Sequence, residues 1–355
     1  MSLAISPVSR IHLDRNNSFD VLRLVAASAV LLGHCFPLSG QGALEPLKRY
    51  TRYGSLGEVA VDVFFVISGY LVTASYLRSS GPIDYLGKRA LRLLPALWCS
   101  VLLTVVVLGP LLTQLPVGQY FEHPATRGYL GNLYLSVNYM LPGLFAGNPY
   151  PNVVNGSLWT LPSEVLMYLL VLALGVVRQL NRATCLGMVL LFVCLRLVVL
   201  PSAFPYTPFW MDLLPYQDMT RLGIFFFSGA VIVFAPPEWT AYRRYVVAVG
   251  LLILILLANT FFSLIWLMVL LPLLVIAVAQ AQSKLSAAIS RVGDFSYGVY
   301  IYAFPVQQTA AMLLGSRVSS LSLFLVSMPM TLIVASASWY LVEKPSLQLK
   351  ARLSQ

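Results

Sequence analysis

Long apolar segments separated by short polar connections make up most of the chain. A helix needs about 20 mainly apolar residues to cross the hydrocarbon of a bilayer, and segments of this kind recur throughout. The uncharged run from 245 to 282 is too long for one crossing, so we divide it at Asn259-Thr260 into a helical hairpin. The pattern predicts about ten transmembrane helices, near 19–37, 57–77, 94–112, 157–177, 184–200, 221–235, 244–259, 261–281, 295–314 and 320–342.

The composition agrees with a membrane protein. Hydrophobic residues make up 58% and charged residues 10% of the chain, and the mean hydropathy is +0.79. A soluble domain of this composition would lack a polar surface. We therefore expect an all-α, polytopic integral membrane protein. It would have an N-terminal tail at 1–18, one transmembrane domain at 19–343 and a C-terminal tail at 344–355.

The basic residues are distributed unevenly between the two predicted sides. If the N-terminus lies inside and ten helices follow, fifteen Lys and Arg residues fall on the cytoplasmic side. Five fall outside, namely Lys48, Arg49, Arg52, Arg127 and Arg317. Cytoplasmic connections carry an excess of positive charge, so both termini are expected in the cytoplasm. The net charge of +10 is then explained by topology and needs no nucleic-acid partner.

The longest connection runs from about Leu112 to Asn155. Its middle part, 129–145, is rich in Tyr, Leu and Gly, and a turn-forming stretch follows at 147–152. A short, broken apolar segment indicates a re-entrant or interfacial piece of chain that could hold a substrate. A loop lying over the helix ends explains the pattern equally well.

Two ionisable residues, Arg23 and His34, lie within the first apolar segment. Eleven positions correspond to about three helical turns, so the two side chains share one face about 16 Å apart. Ionisable residues inside a membrane helix are costly and by default indicate a functional site. Snorkelling near the interface is a serious alternative for Arg23, and a hydrogen-bonded core position is a weaker one for His34.

Further cations and anions follow in the next helices. Asp20 lies one turn before Arg23, at a spacing that allows an ion pair. Arg89 and Arg92 are three positions apart and can point the same way toward phosphate groups. Basic flanks also serve topology alone. Together with Arg23, however, this pair predicts an anion site at the inner face.

His34 is the candidate base, because a neutral imidazole can take a proton from an attacking hydroxyl. Two carboxylates are candidates for orienting it. Asp62 lies in the second helix, four residues after Glu58, and Glu164 lies well inside the fourth. Glu58 itself is better explained as a hydrated residue at a helix end. A protonated Glu164 that bonds to another helix is an alternative of equal weight.

Cysteine and histidine spacing predicts no metal site. Cys35, Cys99, Cys185 and Cys194 are scattered through apolar segments, without the close spacing of metal ligands. We expect them to be small buried apolar residues.

In order, these motifs resemble those of the membrane acyltransferase-3 family, the integral-membrane O-acyltransferases of cell-surface glycans. The resemblance covers nearly the whole chain, and the ordered set is far more specific than any one motif. It rests on the Arg-x10-His pair of Arg23 and His34, the stretch from Asp62 to Gly69, Arg89-x-x-Arg92, the stretch from Ser157 to Glu164, Ser296-Tyr297, and the terminal Val342-Glu343-Lys344-Pro345.

This resemblance implies transfer of an acyl group from cytoplasmic acyl-CoA to a sugar hydroxyl. The expected acyl group is acetyl, and the expected donor is acetyl-CoA. The acceptor would be O-antigen, exopolysaccharide or a lipid-linked glycan. The protein would lie in the bacterial inner membrane, in contact with its lipids. Arg23, Arg89 and Arg92 would hold the phosphate-bearing end of the donor. His34 would be the base, oriented by Glu164 or Asp62, with direct transfer preferred and an acyl-enzyme left open.

The chain departs from the family pattern at one place. Members often carry a histidine a turn and a half after the Ser-Tyr pair, where this chain has Ala303. Tyr302 or Gln307 would fill that role, or it is absent. The chain also resembles the stand-alone members that lack an appended esterase-like domain.

Two other functions remain open from the sequence. A transporter or flippase for a lipid-linked glycan or another anion would use the same arginines for phosphate and His34 as a proton relay. The missing internal repeat argues mildly against it. Acylation of a small molecule, such as an antibiotic sugar, would use the same chemistry as glycan modification.

Overall fold

The structure is a computed structural model that describes residues 17–199, 216–283, 286–288, 292–315 and 317–353. Within these ranges the regular structure is helical. The one pairing between extended residues there is an isolated bridge from Asn17 to Gln282. The predicted all-α class is therefore confirmed.

Long helices coincide with all ten predicted segments, and we label them α1 to α10 in chain order. Their bounds are Phe19–Leu38, Leu56–Leu77, Pro82–Leu103, Leu161–Val176, Arg182–Cys194, Tyr216–Val233, Arg243–Leu257, Ser263–Ala279, Ser296–Leu314 and Ser320–Ser338.

Six helical stretches in the described ranges are long and apolar enough to cross a membrane. They are Phe19–Leu38, Leu56–Leu77, Pro82–Leu112, Gly156–Val176, Glu238–Leu257 and Ser320–Leu349. The helix α8 is apolar but shorter. The protein is thus a polytopic membrane protein, whereas the count of about ten crossings stays a prediction. The tail boundaries and the cytoplasmic placement of the termini also stay predictions.

Local sequence explains where several helices begin and continue. Ser55 and Glu58 form a capping box at the start of α2, in which each side chain accepts a bond from the other's backbone nitrogen. Glu58 is therefore a helix-end residue, as expected. Both α3 and α10 continue through a π-helical turn, Thr104–Leu108 and Trp339–Glu343, into a further helical segment.

Glycines allow α2 and α6 to touch backbone to backbone. A Cβ atom added to Gly69 would lie 1.7 Å from the carbonyl oxygen of Phe226, and one added to Gly229 would lie 2.1 Å from that of Val66. Small residues at helix crossings permit this approach in membrane proteins. A looser glycine contact joins α1 to α2, where a Cβ on Gly33 would lie 2.7 Å from the nitrogen of Gly57.

The connection before α4 runs along α9 rather than over its end. Asn148 donates from Nδ2 to the carbonyl oxygen of Gln308 at 2.9 Å and to its Oε1 at 2.7 Å. Seven residues earlier on the same helix, the carbonyl oxygen of Ile301 accepts from Asn155 Nδ2 at 2.9 Å. The segment 148–155 thus follows α9 for about 10 Å. This path fits a re-entrant piece better than a surface loop, although it lies after the stretch 129–145.

Candidate functional site

A cavity of about 490 Å³ lies among α1, α2, α3, α4 and α9. Its basic lining residues lie near the ends of α1, α2 and α3 that the charge pattern places on the cytoplasmic side. They are Arg23, Arg78, Lys88, Arg89 and Arg92. The three predicted phosphate ligands therefore share one cavity.

The opposite end of this cavity is formed by Phe64, Thr160 and Tyr300. The Thr160 and Tyr300 hydroxyls lie 2.8 Å apart in a buried hydrogen bond. The Phe64 ring packs edge to face on Tyr300, with centroids 5.7 Å apart. We call these three side chains the end layer. They line the cavity where α4 begins.

Asp294 joins two of the arginines. Its Oδ2 accepts from Arg23 Nη1 at 3.2 Å and also from Arg92 Nη2. Its Oδ1 accepts from the backbone nitrogen of Ser296 at 3.1 Å and from the Ser296 hydroxyl, at the start of α9. Glu343 Oε2 lies 4.0 Å from Arg92 Nη1. Arg23 thus pairs with Asp294, whereas the sequence spacing favoured Asp20.

The charge of Asp294 is held by its neighbours. Burial raises the pKa of this carboxyl group, but Arg92 and Arg23, with the bonds from Ser296, more than compensate and lower it to about 2. Asp294 is consequently ionised at neutral pH. It fixes the direction of two guanidinium groups, each of which keeps further donors for a ligand.

The Asp294→Asn variant is expected to be destabilised by about 2–4 kcal/mol, because it leaves two mostly buried guanidinium groups without their carboxylate. Asp84→Asn is the matched control, since it removes a single i,i+4 pair with Lys88. Such a pair contributes at most about 1 kcal/mol. Melting temperatures in detergent measure both. Equal melting temperatures would contradict the role assigned to Asp294.

Arg89 differs from Arg92 in having fewer protein partners. Its Nη2 lies 3.4 Å from Ser75 Oγ, and its guanidinium group lies 5.8 Å from the centre of the Tyr168 ring. Its Nε is buried without a hydrogen-bond partner. A buried donor of this kind favours a further hydrogen-bond partner. Arg89 is therefore the most available of the three arginines.

Glu164 lies in the same cavity as the arginines, where it accepts a bond from the Tyr168 hydroxyl. The predicted pairing with His34 is not formed. The reason is the level at which α4 begins. Thr160 meets Tyr300, only one turn into α9, and α4 continues from there toward the basic end of the cavity.

His34 lies beyond the end layer and does not line the cavity. Its ring packs edge to face on Phe304, with centroids 5.1 Å apart, and Phe304 follows Tyr300 by one turn of α9. The Nδ1 atom of His34 is buried and has no hydrogen-bond partner. This imidazole is half-buried and lacks an orienting carboxylate in the described part of the chain.

The expectation that Asp62 orients His34 is corrected by the geometry. Asp62 lines a different cavity, facing Arg221 of α6. Five residues separate it from Gly57, the residue that contacts α1 beside His34. At about 100° per residue, Asp62 points about 140° away from that contact. Similar depth therefore does not bring the two side chains together.

The family model described as an acyltransferase domain matches residues 16–340 of the chain. It is the model of the acyltransferase-3 family. That match spans α1 to α10 and includes every residue of the cavity described above except Leu347. The protein belongs to the acyltransferase-3 family. It is accordingly an acyltransferase.

Curated relatives of this acyltransferase cover most of its length. The "O-acetyl transferase" of Shigella phage Sf6 is 33% identical over 93% of this chain and 96% of its own. "Nodulation protein 10" of Rhizobium leguminosarum bv. viciae is 30% identical over 95% of both chains. "Exopolysaccharide production protein ExoZ" of Rhizobium meliloti (strain 1021) is 27% identical over 83% of this chain and 90% of its own. No solved structure matches the chain.

Ala303, at the position where the family resemblance led us to expect histidine, is buried beside α1. Of the two proposed substitutes, Gln307 contacts α1. Its Nε2 donates to the carbonyl oxygen of Leu31 at 2.7 Å and contacts Cys35 Sγ at 2.9 Å, and its buried Oε1 has no partner. Tyr302 faces Ser338 of α10. Gln307 is thus the residue near the helix that carries His34.

Three cavity residues of the acyltransferase were not singled out from the sequence as functional. Asp294 lies two residues before the Ser296-Tyr297 motif, and its acidic charge beside an apolar segment was the available signal. Tyr168 follows Glu164 by one turn, at a spacing that favours contact. Tyr300 was expected to hydrogen-bond across helices in a structural role, but the sequence did not indicate its partner Thr160, which lies 140 positions away.

Proposed function

We propose that this acyltransferase transfers an acetyl group from acetyl-CoA, bound from the cytoplasmic side, to a saccharide hydroxyl presented at the outer half of the bacterial inner membrane. The observation that carries the proposal is the cavity with Arg23, Arg89 and Arg92 at one end and the end layer at the other. Among the described residues, no group of three or more His, Cys, Asp or Glu side chains is placed to hold a metal ion.

The cavity suits the two chemical parts of coenzyme A. Guanidinium groups bind phosphates through paired hydrogen bonds, so the nucleotide end of the donor would lie against the basic residues. Beyond them the walls are mostly apolar, with the hydroxyls of Ser68 and Ser75. These walls suit the extended arm that carries the thioester. The volume of about 490 Å³ is that of an ordinary cofactor pocket.

In this proposal His34 acts as a general base. The acceptor hydroxyl gives its proton to the imidazole while its oxygen attacks the thioester carbonyl, and the carbon–sulfur bond then breaks. The coenzyme A thiolate leaves and takes up a proton. General-base catalysis of this kind contributes about 10²- to 10⁴-fold. The unpartnered Nδ1 supports the assignment, because it has no competing protein partner.

The end layer must open for this chemistry. Tyr300 and Phe304 are one turn apart on α9, so a thioester held at the end layer would stop about 6 Å short of the His34 level. We propose that Phe64, Thr160 and Tyr300 separate when the donor binds. Glu164, held by Tyr168 one turn past Thr160, would then lie near the donor and not near His34.

The relatives' names support a saccharide acceptor. One relative is named for O-acetyl transfer and another for exopolysaccharide production. Membership in an acyltransferase family also favours an enzyme over the transporter or flippase considered from the sequence. O-antigen, exopolysaccharide and lipid-linked glycans remain the acceptors that we propose.

Calorimetry with acetyl-CoA and purified protein tests the donor site. Arg89→Ala is expected to weaken binding about 10- to 100-fold, because it removes hydrogen bonds between charged groups. His34→Ala is expected to bind normally. Arg182→Ala is the matched control, because it removes an exposed arginine at the same predicted side outside the cavity. Equal affinity of the Arg89 and Arg182 variants would contradict the donor assignment.

A further inference from the structure

A second cavity of about 210 Å³ lies on another side of α2, against α6, α8 and the end of α5. The charge pattern places these helix ends on the outer side. The charged residues in the described part of the chain that line it are Arg52, Glu58, Asp62, Arg196, Asp218 and Arg221. None of these residues lines the first cavity, which contains Arg23, Arg89 and Arg92 and which we call the donor cavity.

The polar groups of Asp62 and Arg221 are not satisfied by each other. Asp62 is 1% exposed, and neither of its carboxylate oxygens has a hydrogen-bond partner. Arg221 Nε lies 3.6 Å from Asp62 Oδ1, and its Nη2 lies 3.7 Å from Asp218 Oδ1. Both separations exceed the 2.7–3.2 Å of an N–H···O hydrogen bond. Buried acceptors and donors of this kind require further partners.

The lining indicates the chemistry of those partners. Among the described residues, three arginines and three carboxylates line the cavity, so a phosphate would meet acidic groups as well as basic ones. Sugar hydroxyls suit both signs, because they donate to carboxylates and accept from guanidinium groups. Phe225 and Leu267 add apolar wall for the carbon face of a sugar ring. The volume is below the 300 Å³ or so of drug-sized sites, which suits a single small unit.

The position of the cavity relates it to the acyl acceptor. Gly57 contacts Gly33 beside His34, and the next residue, Glu58, lines the second cavity. The start of α2 therefore lies between His34 and the second cavity. A glycan of a few sugar residues that passes over this helix start would reach both of them.

We propose that the second cavity binds one neutral sugar residue of the acceptor glycan, away from the residue that is acylated. This inference rests on the proposed function, since it assigns an acceptor to the outer side. In this arrangement Asp62 is a substrate-binding residue. It holds the glycan so that another sugar residue presents its hydroxyl near His34.

Ligand-observed NMR with the purified full chain tests the site without any acyl transfer. The probes are methyl glycosides of glucose, galactose, mannose, rhamnose and N-acetylglucosamine at millimolar concentration, with inorganic pyrophosphate as the anionic comparison. We expect at least one glycoside to bind the wild type and pyrophosphate not to compete. Binding should weaken at least 10-fold in Asp62→Asn, which loses hydrogen bonds to a charged group.

A second variant guards against misfolding of Asp62→Asn. Leu264 lines the cavity but is 42% exposed, so Leu264→Trp fills the space without entering the packed interior. It should lose glycoside binding and keep the wild-type melting temperature and acetyl-CoA affinity. His34→Ala and Arg89→Ala should bind the glycoside normally.

Each contrary outcome is informative. Glycoside binding that survives in both Asp62→Asn and Leu264→Trp would overturn the proposal, as would a wild type that binds pyrophosphate and no glycoside, or none of the probes. A wild-type protein that neither binds acetyl-CoA nor transfers acetyl groups would instead count against the proposed function. The two failures are therefore distinguishable.

Discussion

The His34→Gln variant is expected to lose about 10²- to 10⁴-fold in acyl transfer while its affinity for acetyl-CoA stays unchanged. The loss follows from removing the general base, and its size is that of proton transfer by a positioned side chain. Donor affinity is unaffected because His34 does not line the cavity of the arginines. Glutamine keeps a polar side chain of similar reach. Transfer of radiolabelled acetyl to extracted polysaccharide measures the rate, and calorimetry measures the affinity.

His123→Gln is the matched control for this prediction. His123 is exposed in the connection between α3 and α4, where its Nδ1 caps a short helix by accepting from the nitrogen of Ala125 at 3.1 Å. Its replacement should leave transfer unchanged. Wild-type rates in His34→Gln would rule out the base role. Direct transfer further predicts no labelled protein after incubation with acetyl-CoA alone, so a stable label that disappears in His34→Gln would instead reveal an acyl-enzyme.

Gly69→Ala is expected to destabilise the protein by about 3 kcal/mol, the upper end of the cost of overpacking a core. The added Cβ atom would lie 1.7 Å from a backbone carbonyl oxygen of α6, which cannot rotate away as a side chain can. The two helices must therefore move apart along their whole crossing. The melting temperature in detergent, followed by tryptophan fluorescence, measures the loss.

The control for Gly69→Ala is the same substitution at Gly87 in α3, where a Cβ atom meets nothing within 4 Å. There alanine should be neutral or slightly stabilising, because it favours a helix by up to about 1 kcal/mol over glycine. A melting temperature of Gly69→Ala equal to that of Gly87→Ala would show that the α2–α6 crossing is looser than described.

Hydropathy located the helices well but not all of their ends. The third predicted segment began near 94, whereas α3 starts at Pro82. Its first turns carry Lys88, Arg89 and Arg92, which lower the local hydropathy although they face the donor cavity. Likewise α6 starts before the predicted 221, because Asp218 belongs to its first turn. Charged residues that serve a cavity thus hid the ends of the helices that hold them.

The sequence was a better guide to which charged residues share a cavity than to which of them pair. Arg23, Arg89, Arg92 and Glu164 were each chosen as ionisable residues in or beside apolar helices, and all four line one cavity. Spacing along the first helix then suggested Asp20 for Arg23, and matching depth suggested Asp62 or Glu164 for His34. Such pairings depend on which faces of the helices meet. The sequence alone does not show that α2 crosses α6, or at which level α4 begins beside α9.

The bond between Arg23 and Asp294 also bears on how the chain is made. The two residues lie 271 positions apart. At about 5–20 residues per second, the ribosome needs roughly 15–50 s after adding Arg23 to reach Asp294. During that interval the first helix holds an arginine without its final carboxylate partner. Biogenesis of the donor site is therefore a late event, completed only after the ninth helix has been synthesised and has met the first.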